Sequence, residues 1–226
     1  MTTIRGRYNS GEQTRIRLVE VAERLFARRG YDGVTLADIR KAAGQHNSSV
    51  VGYYFGNKEG LLLAVFSHRL PAVNAEREAL AAEMLRTRDA LSVRDLLWVI
   101  VRPFANTLGR HNHFVPFLDR LSDHDRFAEC FRIAGPTAVT GLTATAGGGR
   151  TETALRRVLG HLPDDIAGQR LRLVYSGTVS ALARSHRLGD SPSTAELAAL
   201  VDAWEALLLA PVSAETEQAR GEGSAR

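Results

Sequence analysis

The 226-residue sequence has little of three features that define other protein classes. Its single cysteine cannot form an intramolecular disulfide, so nothing in the composition favours an oxidising compartment. The longest apolar run, LLWVIV at 96–101, is far shorter than the roughly 20 residues of a membrane-spanning helix. The first 15 residues contain no apolar stretch of the kind found in secretory signals. We therefore expect a cytoplasmic protein that has no membrane partner.

The net charge is also small, but it is unevenly distributed along the chain. The formal value is +4. Residues 1–70 carry 11 basic and 6 acidic side chains, whereas residues 71–226 carry 18 basic and 19 acidic ones. Such a difference between segments is typical of a nucleic-acid-binding module joined to another kind of domain. A solvated basic face without a partner is the alternative, and composition does not distinguish the two.

Strand-like alternation is absent as well, and helical spacing of apolar residues predicts an all-α fold. Polar residues that can cap a helix precede several apolar segments, and Gly30 and Gly44 are placed to end two helices. Pro103 lies within a predicted helix and should kink or end it. The predicted helix caps are Ser10, Thr35, Asn57, Ser92 and Ser193.

Two short helices joined by a glycine turn are predicted between residues 35 and 55, after a first amphipathic helix. This arrangement is a helix-turn-helix, whose second helix lies in the DNA major groove with its N-terminal polar residues at base edges. Side chains there can hydrogen bond to bases, and those that follow can donate to phosphates. A solvated loop with packed tyrosines is the alternative. The candidate residues are Gln45, His46, Asn47, Ser48, Ser49, Tyr53, Tyr54 and Lys58.

The segments GVTLADIRKAAG and YYFGNKEGLLLAVF strongly resemble the N-terminal domain of the TetR family of bacterial transcriptional regulators. The resemblance covers roughly residues 12–66. It implies that Thr35 opens the first helix of the motif and touches a phosphate. It also implies that residues 45–53 supply the base-reading helix, and that Tyr54 and Lys58 grip the DNA backbone.

Two features of the motif depart from the family pattern. The separation between Gly44 and Lys58 is one residue longer than is common in the family. Gly52 stands where a tyrosine often precedes the aromatic pair. The resemblance therefore identifies the DNA-reading element better than it identifies individual base contacts.

The resemblance also implies a second, helical domain that binds a small molecule and dimerises. We expect a helix-turn-helix domain of three helices at 10–70, an effector-binding and dimerisation domain at 71–210, and a disordered tail at 211–226. The expected function is sequence-specific repression, with release from a pseudo-palindromic double-stranded operator by a small hydrophobic effector. No enzymatic activity, cofactor or metal is expected. The alternatives are a helical enzyme or carrier and a nonspecific architectural DNA-binding protein.

A homodimer is expected because paired recognition helices contact half-sites one DNA turn apart. The predicted dimer surface is the last pair of helices, at 168–187 and 194–210. Their apolar stripes would meet across the dimer, and the alternative is that both stripes face the core of the monomer. The stripes comprise Leu171, Val174, Tyr175, Thr178 and Leu182, and Leu197, Leu200, Val201, Trp204 and Leu208.

Aromatic residues make up 7% of the chain and concentrate in its middle section. Apolar pockets between helices commonly bind hydrophobic ligands, so these residues are predicted to line an effector pocket. Ordinary core packing is the alternative. The candidate pocket residues are Trp98, Phe104, Phe114, Phe117, Phe127, Phe131 and Tyr175.

Three further patterns are typical of other chemistry but are incomplete. His111 and His113 diverge on a helix, so we expect a polar surface rather than a metal site. The glycine run at 145–151 lacks Walker spacing and its lysine, and is predicted to be a linker. Cys130 is expected to be a small buried apolar residue rather than a redox sensor.

Overall fold

The computed structural model describes residues 3–122 and 148–223, and these residues form ten α-helices without a β-strand among them. The predicted all-α fold is confirmed. The helices are α1 (Thr3–Arg29), α2 (Leu36–Ala42), α3 (Val50–Phe55), α4 (Lys58–Leu85), α5 (Val93–Asn106), α6 (Phe114–Ser122), α7 (Gly148–Val158), α8 (Asp164–Leu188), α9 (Thr194–Leu209) and α10 (Ala214–Gly223).

Local capping signals correctly predicted the starts of four helices. Thr35, Ser92 and Ser193 each form a complete capping box, in which the cap side chain and the third helical residue exchange hydrogen bonds with the backbone. Asn57 caps α4 by accepting a hydrogen bond from the Gly60 amide at 2.7 Å. These signals succeed because every partner lies within one turn of the chain.

Two predicted breaks in the N-terminal half are wrong. Ser10 does not cap the first helix, which starts at Thr3. The boundary expected between residues 70 and 71 is not a break in the helices either, because α4 continues through Pro71 and has 28 residues in all. Proline removes the hydrogen bond to the carbonyl four residues earlier, but Ser67 is exposed, so water can hydrate that carbonyl. The predicted domain boundary at residues 70 and 71 thus falls inside a continuous helix.

Other expected irregular segments are also helical. Helix α5 passes through Pro103 and ends within one turn after it, while α7 begins at Gly148 inside the predicted linker. Helix α10 occupies much of the predicted disordered tail. Arg220 on α10 donates two hydrogen bonds, at 3.0 and 2.9 Å, to the Asp165 carboxylate on α8. Contacts with another helix therefore order a segment that lacks apolar periodicity.

The buried apolar residues form two clusters. The first joins α1, α2, α3 and α4 with α6 and the C-terminal half of α8. The second joins α5, α7, α9 and the N-terminal half of α8. Within the first cluster the Phe117 ring on α6 lies 6.2 Å from Phe26 and 5.4 Å from Phe66. The N-terminal helices therefore share their core with the rest of the chain.

A buried carboxylate ties three elements of the first cluster together. Glu23 on α1 is fully buried. Arg69 on α4 donates to it through Nε at 2.6 Å and Nη2 at 3.1 Å. The backbone N–H of His113, just before α6, donates to the same carboxylate at 2.8 Å. We call this arrangement the Glu23 junction.

The predicted dimer stripes on α8 and α9 lie mostly within the chain's own core. Most of their larger aliphatic residues are buried in the two clusters. A Cβ on Gly177 would lie 2.5 Å from the Trp204 ring, so α8 and α9 approach closely there. The assignment of these stripes to a dimer interface is therefore wrong. The buried members are Leu171, Val174, Thr178, Leu182, Val201 and Leu208.

We expect Glu23→Gln to lower the free energy of unfolding by about 3 kcal/mol, because it leaves the largely buried Arg69 guanidinium without its counter-charge. Urea denaturation measures the change. Glu20→Gln, an exposed change one turn earlier on α1, is the control and should stay within about 0.5 kcal/mol of the parent. Equal effects of the two substitutions would refute the importance of the junction.

Candidate nucleic-acid interface

The first helix of the motif, α2, is fixed at its start by Thr35 and Asp38. The Thr35 hydroxyl accepts from the Asp38 amide at 3.1 Å and donates to the Asp38 carboxylate at 2.8 Å. The Thr35 amide also donates to that carboxylate at 3.0 Å. The backbone and side-chain hydrogen bonds from Thr35 lower the pKa of Asp38. The Thr35 hydroxyl, predicted to touch a phosphate, therefore already has an internal acceptor.

The turn after α2 follows a Schellman arrangement centred on Gly44. Gly44 has φ of +71°, a conformation that favours glycine. Its amide donates to the Lys41 carbonyl at 3.0 Å, and the Gln45 amide donates to the Arg40 carbonyl at 3.0 Å. The turn glycine predicted from the sequence is thus confirmed, and it redirects the chain toward α3.

Two arginines hold this turn from outside it. Arg40 on α2 donates through Nη1 to the carbonyls of Gln45 and His46, at 2.9 and 3.2 Å. Arg17 on α1 donates through Nε to the Ala43 carbonyl at 3.3 Å. The sequence reasoning missed both residues, since arginines on amphipathic helices carry no signal that they will bind backbone carbonyls. We call Arg40 and its two acceptors the Arg40 brace.

The segment predicted to start the base-reading helix is not helical. Helix α3 begins only at Val50, so residues 45–49 form a loop before it. Within the loop, Asn47 accepts a hydrogen bond from the Ser49 amide at 2.9 Å. Gln45 is half-buried, whereas residues 46–49 are exposed. The prediction that residues 45–53 form one helix is therefore wrong, because the Arg40 brace and Asn47 use backbone groups in a loop conformation.

The aromatic pair and the lysine after it differ in their exposure. Tyr53 is 82% exposed. A Cβ on Gly11 would lie 3.3 Å from the Tyr54 hydroxyl, so this tyrosine reaches α1. The Lys58 ammonium lies 4.2 Å from the centre of the Tyr31 ring, and burial lowers the pKa of Lys58. Tyr53 is thus the residue of the three that faces solvent most fully.

The predicted effector-pocket residues do not come together in one site. Phe104, Phe114 and Phe117 are buried in the first cluster, against the N-terminal helices. Trp98 and Tyr175 pack against the second cluster. Phe127 and Phe131 lie outside the described residues, as do Cys130 and His124. Of the five described candidates, Phe104, Phe114 and Phe117 are buried core residues, which is the core packing that stood as the alternative.

Residues 3–122 and 148–223 bear on two other kinds of site, a metal centre and a membrane-spanning helix. No group of three or more His, Cys, Asp or Glu side chains in this part of the chain could hold a metal ion. No single described helix is long and apolar enough to cross a membrane, although α9 and α10 pass that test as a bent pair by length and composition only.

Helices α2 and α3 are joined by a glycine turn and by a polar, exposed loop before α3. This arrangement is that of a DNA-binding helix-turn-helix domain. Residues 18–65 match the family described as bacterial regulatory proteins, tetR family. The match covers the helix-turn-helix motif and the parts of α1 and α4 that flank it, so this segment is similar to the N-terminal domain of that family.

Three known proteins are similar to this chain over part or most of its length. The HTH-type transcriptional repressor NicS of Pseudomonas putida is 28% identical over 112 residues, and the match spans 50% of each protein. The match thus spans only half the length of this curated relative. A regulator assigned to the TetR family from Mesorhizobium loti is 18% identical, with 88% of this chain and 96% of that one covered and a TM-score of 0.49. A gamma-butyrolactone receptor (ArpA-like protein) is 20% identical, with 77% and 99% covered and a TM-score of 0.39.

We expect Arg40→Ala to loosen the loop at 45–49, because two backbone carbonyls lose their donor. Amide hydrogen exchange in the loop should become about fivefold faster, which corresponds to the loss of about 1 kcal/mol. Lys41→Ala is the matched control, since Lys41 is an exposed neighbour on the same helix whose side chain makes no hydrogen bond or ion pair within the described ranges. Unchanged exchange in the Arg40 variant would show that the brace does not hold the loop.

Proposed function

We propose that the protein is a dimeric, ligand-responsive transcriptional repressor that binds a pseudo-palindromic operator. The observation that carries the proposal is the exposed polar loop held by the Arg40 brace inside a TetR-family domain. Its imidazole, amide and hydroxyl groups can donate to and accept from base edges. The similarity to a named repressor supports repression as the mode of control.

The proposed DNA contacts fall into two groups. His46, Asn47 and Ser48 are exposed in the loop and would contact bases, with Gln45 and Ser49 at its ends. Tyr53 would donate to a phosphate with its exposed hydroxyl. Thr35, Tyr54 and Lys58 would contact phosphates at the edges of the motif, and each would have to exchange an internal contact for one to DNA. Phosphate contacts fix the register of the protein, while base contacts select the sequence.

The proposed dimer uses the outward faces of α8 and α9 rather than their buried stripes. Leu173 on α8 and Leu209 on α9 are 49% and 48% exposed. Small residues without charge occupy much of the same faces, which lets two helices approach closely. They include Ser176, Ser180 and Ala181 on α8, and Ala199, Ala203 and Ala206 on α9.

The proposed effector site lies in the second cluster. Thr178 Oγ1 and Trp204 Nε1 are buried there without a hydrogen-bond partner among the described residues, and a ligand could supply one. Trp98 packs against the same cluster. Since these are the two tryptophans of the chain, their fluorescence reports on this site. Operator release by small molecules that leave tryptophan fluorescence unchanged would place the effector elsewhere.

Two substitutions separate base reading from phosphate binding. We expect His46→Ala to reduce the preference for operator over scrambled DNA by about tenfold, with an unchanged salt dependence. Lys58→Gln should instead weaken binding to both duplexes alike and reduce the salt slope by about one. Fluorescence anisotropy at several salt concentrations, with an operator selected from a random duplex pool, measures both effects.

The outcomes also distinguish the alternative functions. A selection that returns no consensus sequence would indicate a nonspecific architectural protein. No binding to any duplex at low salt would favour a helical carrier or enzyme instead. Loss of sequence preference in Lys58→Gln but not in His46→Ala would reverse the proposed roles.

We expect Ala203→Arg to convert the dimer to a monomer, because the added guanidinium would be buried at the centre of the proposed α9 face. Light scattering after gel filtration would report the 24.7 kDa monomer instead of twice that mass. Ala82→Arg, on the exposed surface of α4, is the control and should remain dimeric. A dimer in both variants would exclude this face of α9 as the interface.

A further inference from the structure

A cavity of about 250 Å³ lies between α1 and the loop that connects α5 to α6. One wall is a single face of α1, since its four residues have the spacing of neighbouring positions on a helix. The loop supplies the opposite wall. The lining residues are Arg17, Glu20, Val21 and Arg24 on α1, and His111 and His113 in the loop. The cavity is therefore built from both the DNA-binding domain and the segment leading to α6.

The charged groups around this cavity are mostly basic. Two arginines line it against one carboxylate, Glu20, and two histidines complete the polar lining. Arg24 is half-buried, and its guanidinium makes no hydrogen bond or ion pair within the part of the chain that the structure describes. The nearby Glu23 carboxylate already accepts three hydrogen bonds in the Glu23 junction. A half-buried guanidinium thus faces the cavity with its hydrogen-bonding capacity unused.

The electrostatic potential is also positive at the wall of the cavity that the loop between α5 and α6 forms. The pKa of His113 is lowered to about 4, chiefly by burial and then by the neighbouring His186, Arg28, Arg24 and Arg69. These groups lie on α8, α1 and α4, so positive charge faces the imidazole from three helices. Burial penalises any charge at this place, whereas the positive charge of the neighbouring arginines, which disfavours a protonated imidazole, favours a bound anion.

We propose that this cavity binds a small oxyanion, a molecule that carries a phosphate or carboxylate group. Arg24 is the principal ligand, because the planar guanidinium donates two parallel hydrogen bonds to such groups. Arg17 and His111 complete the basic wall around it. The site is distinct from the proposed hydrophobic effector site in the second cluster, and its occupancy does not depend on operator recognition.

The position of Arg17 gives the anion a route to the DNA-binding motif. The same guanidinium that lines the cavity donates through Nε to the Ala43 carbonyl, at the end of α2. A bound anion would hold Arg17 and the loop before α6 together across the cavity. The anion therefore stabilises one position of α1 relative to the rest of the chain. It shifts the conformational equilibrium of the helix-turn-helix motif to the extent that it binds that position more tightly than others.

The test is a titration with sodium phosphate against sodium chloride at constant ionic strength, followed by NMR of the histidine rings. We expect a saturable change at His111 and His113 and a rise in the pKa of His113. Arg24→Gln should weaken phosphate binding by about tenfold, while Arg24→Lys should retain part of it. Arg28→Gln, at an exposed position one turn further along α1 that does not line the cavity, is the control. It should weaken phosphate binding less than Arg24→Gln does, because it removes only longer-range attraction.

Two kinds of result would overturn the proposal. One is a response to phosphate no larger than the response to chloride, and the other is equal weakening in the Arg24 and Arg28 variants. Citrate in place of phosphate distinguishes a carboxylate ligand from a phosphate ligand. A scrambled duplex that produces the same Arg24-dependent change would assign the cavity to the DNA backbone instead. All these readouts can succeed or fail whether or not the protein recognises an operator.

Discussion

The Glu23 junction is the interaction on which the arrangement of the helices depends. A buried carboxylate loses its hydration, which costs several kcal/mol unless charged and polar partners replace the water. Here Arg69 and the His113 amide replace it with three hydrogen bonds. Since these donors belong to α4 and to the loop before α6, α1 cannot shift against either element without exposing an unpaired charge. The aromatic contacts of Phe117 with Phe26 and Phe66 surround the same place with apolar surface. The hydrogen bonds of the junction therefore fix the relative positions of α1, α4 and the loop before α6. Apolar packing is non-directional and would specify these positions less strictly.

Two long helices connect this junction to the second cluster. Helix α4 starts beside the helix-turn-helix motif and continues past Pro71, four residues after the exposed Ser67. Helix α8 contributes Val174 to the second cluster and Leu182 to the first. Helix α8 belongs to both clusters, and α4 packs against α5. A molecule that repacks one cluster must therefore also change the forces on the other. A ligand can use this connection only to the extent that it binds one packing better than the other.

The features that the sequence predicted correctly are those whose partners lie close along the chain. Thr35 and Ser193 find their capping partners three residues later, and Gly44 takes its conformation from the turn itself. The predictions that failed depend on distant residues. The tail is ordered by an ion pair between Arg220 and Asp165, which are far apart in sequence. Phe114 and Phe117 were predicted to line an effector pocket, because the sequence could not show that the apolar surface opposite them belongs to α1 and α4.

The loop at 45–49, for which DNA contacts are proposed, depends both on residues close along the chain and on residues distant from it. The length of the loop can be predicted from the sequence, because one extra residue separates Gly44 from Lys58 compared with the common family spacing. The shape of the loop cannot be predicted in the same way, because Arg40 binds the carbonyls of Gln45 and His46 from outside the loop. In a helix, successive side chains would turn by about 100° and only some of residues 46–49 could face DNA. In the observed loop all four are exposed, so all four are available for the proposed base reading. In the proposed complex, specificity would therefore depend on a braced loop as much as on the helix that follows it.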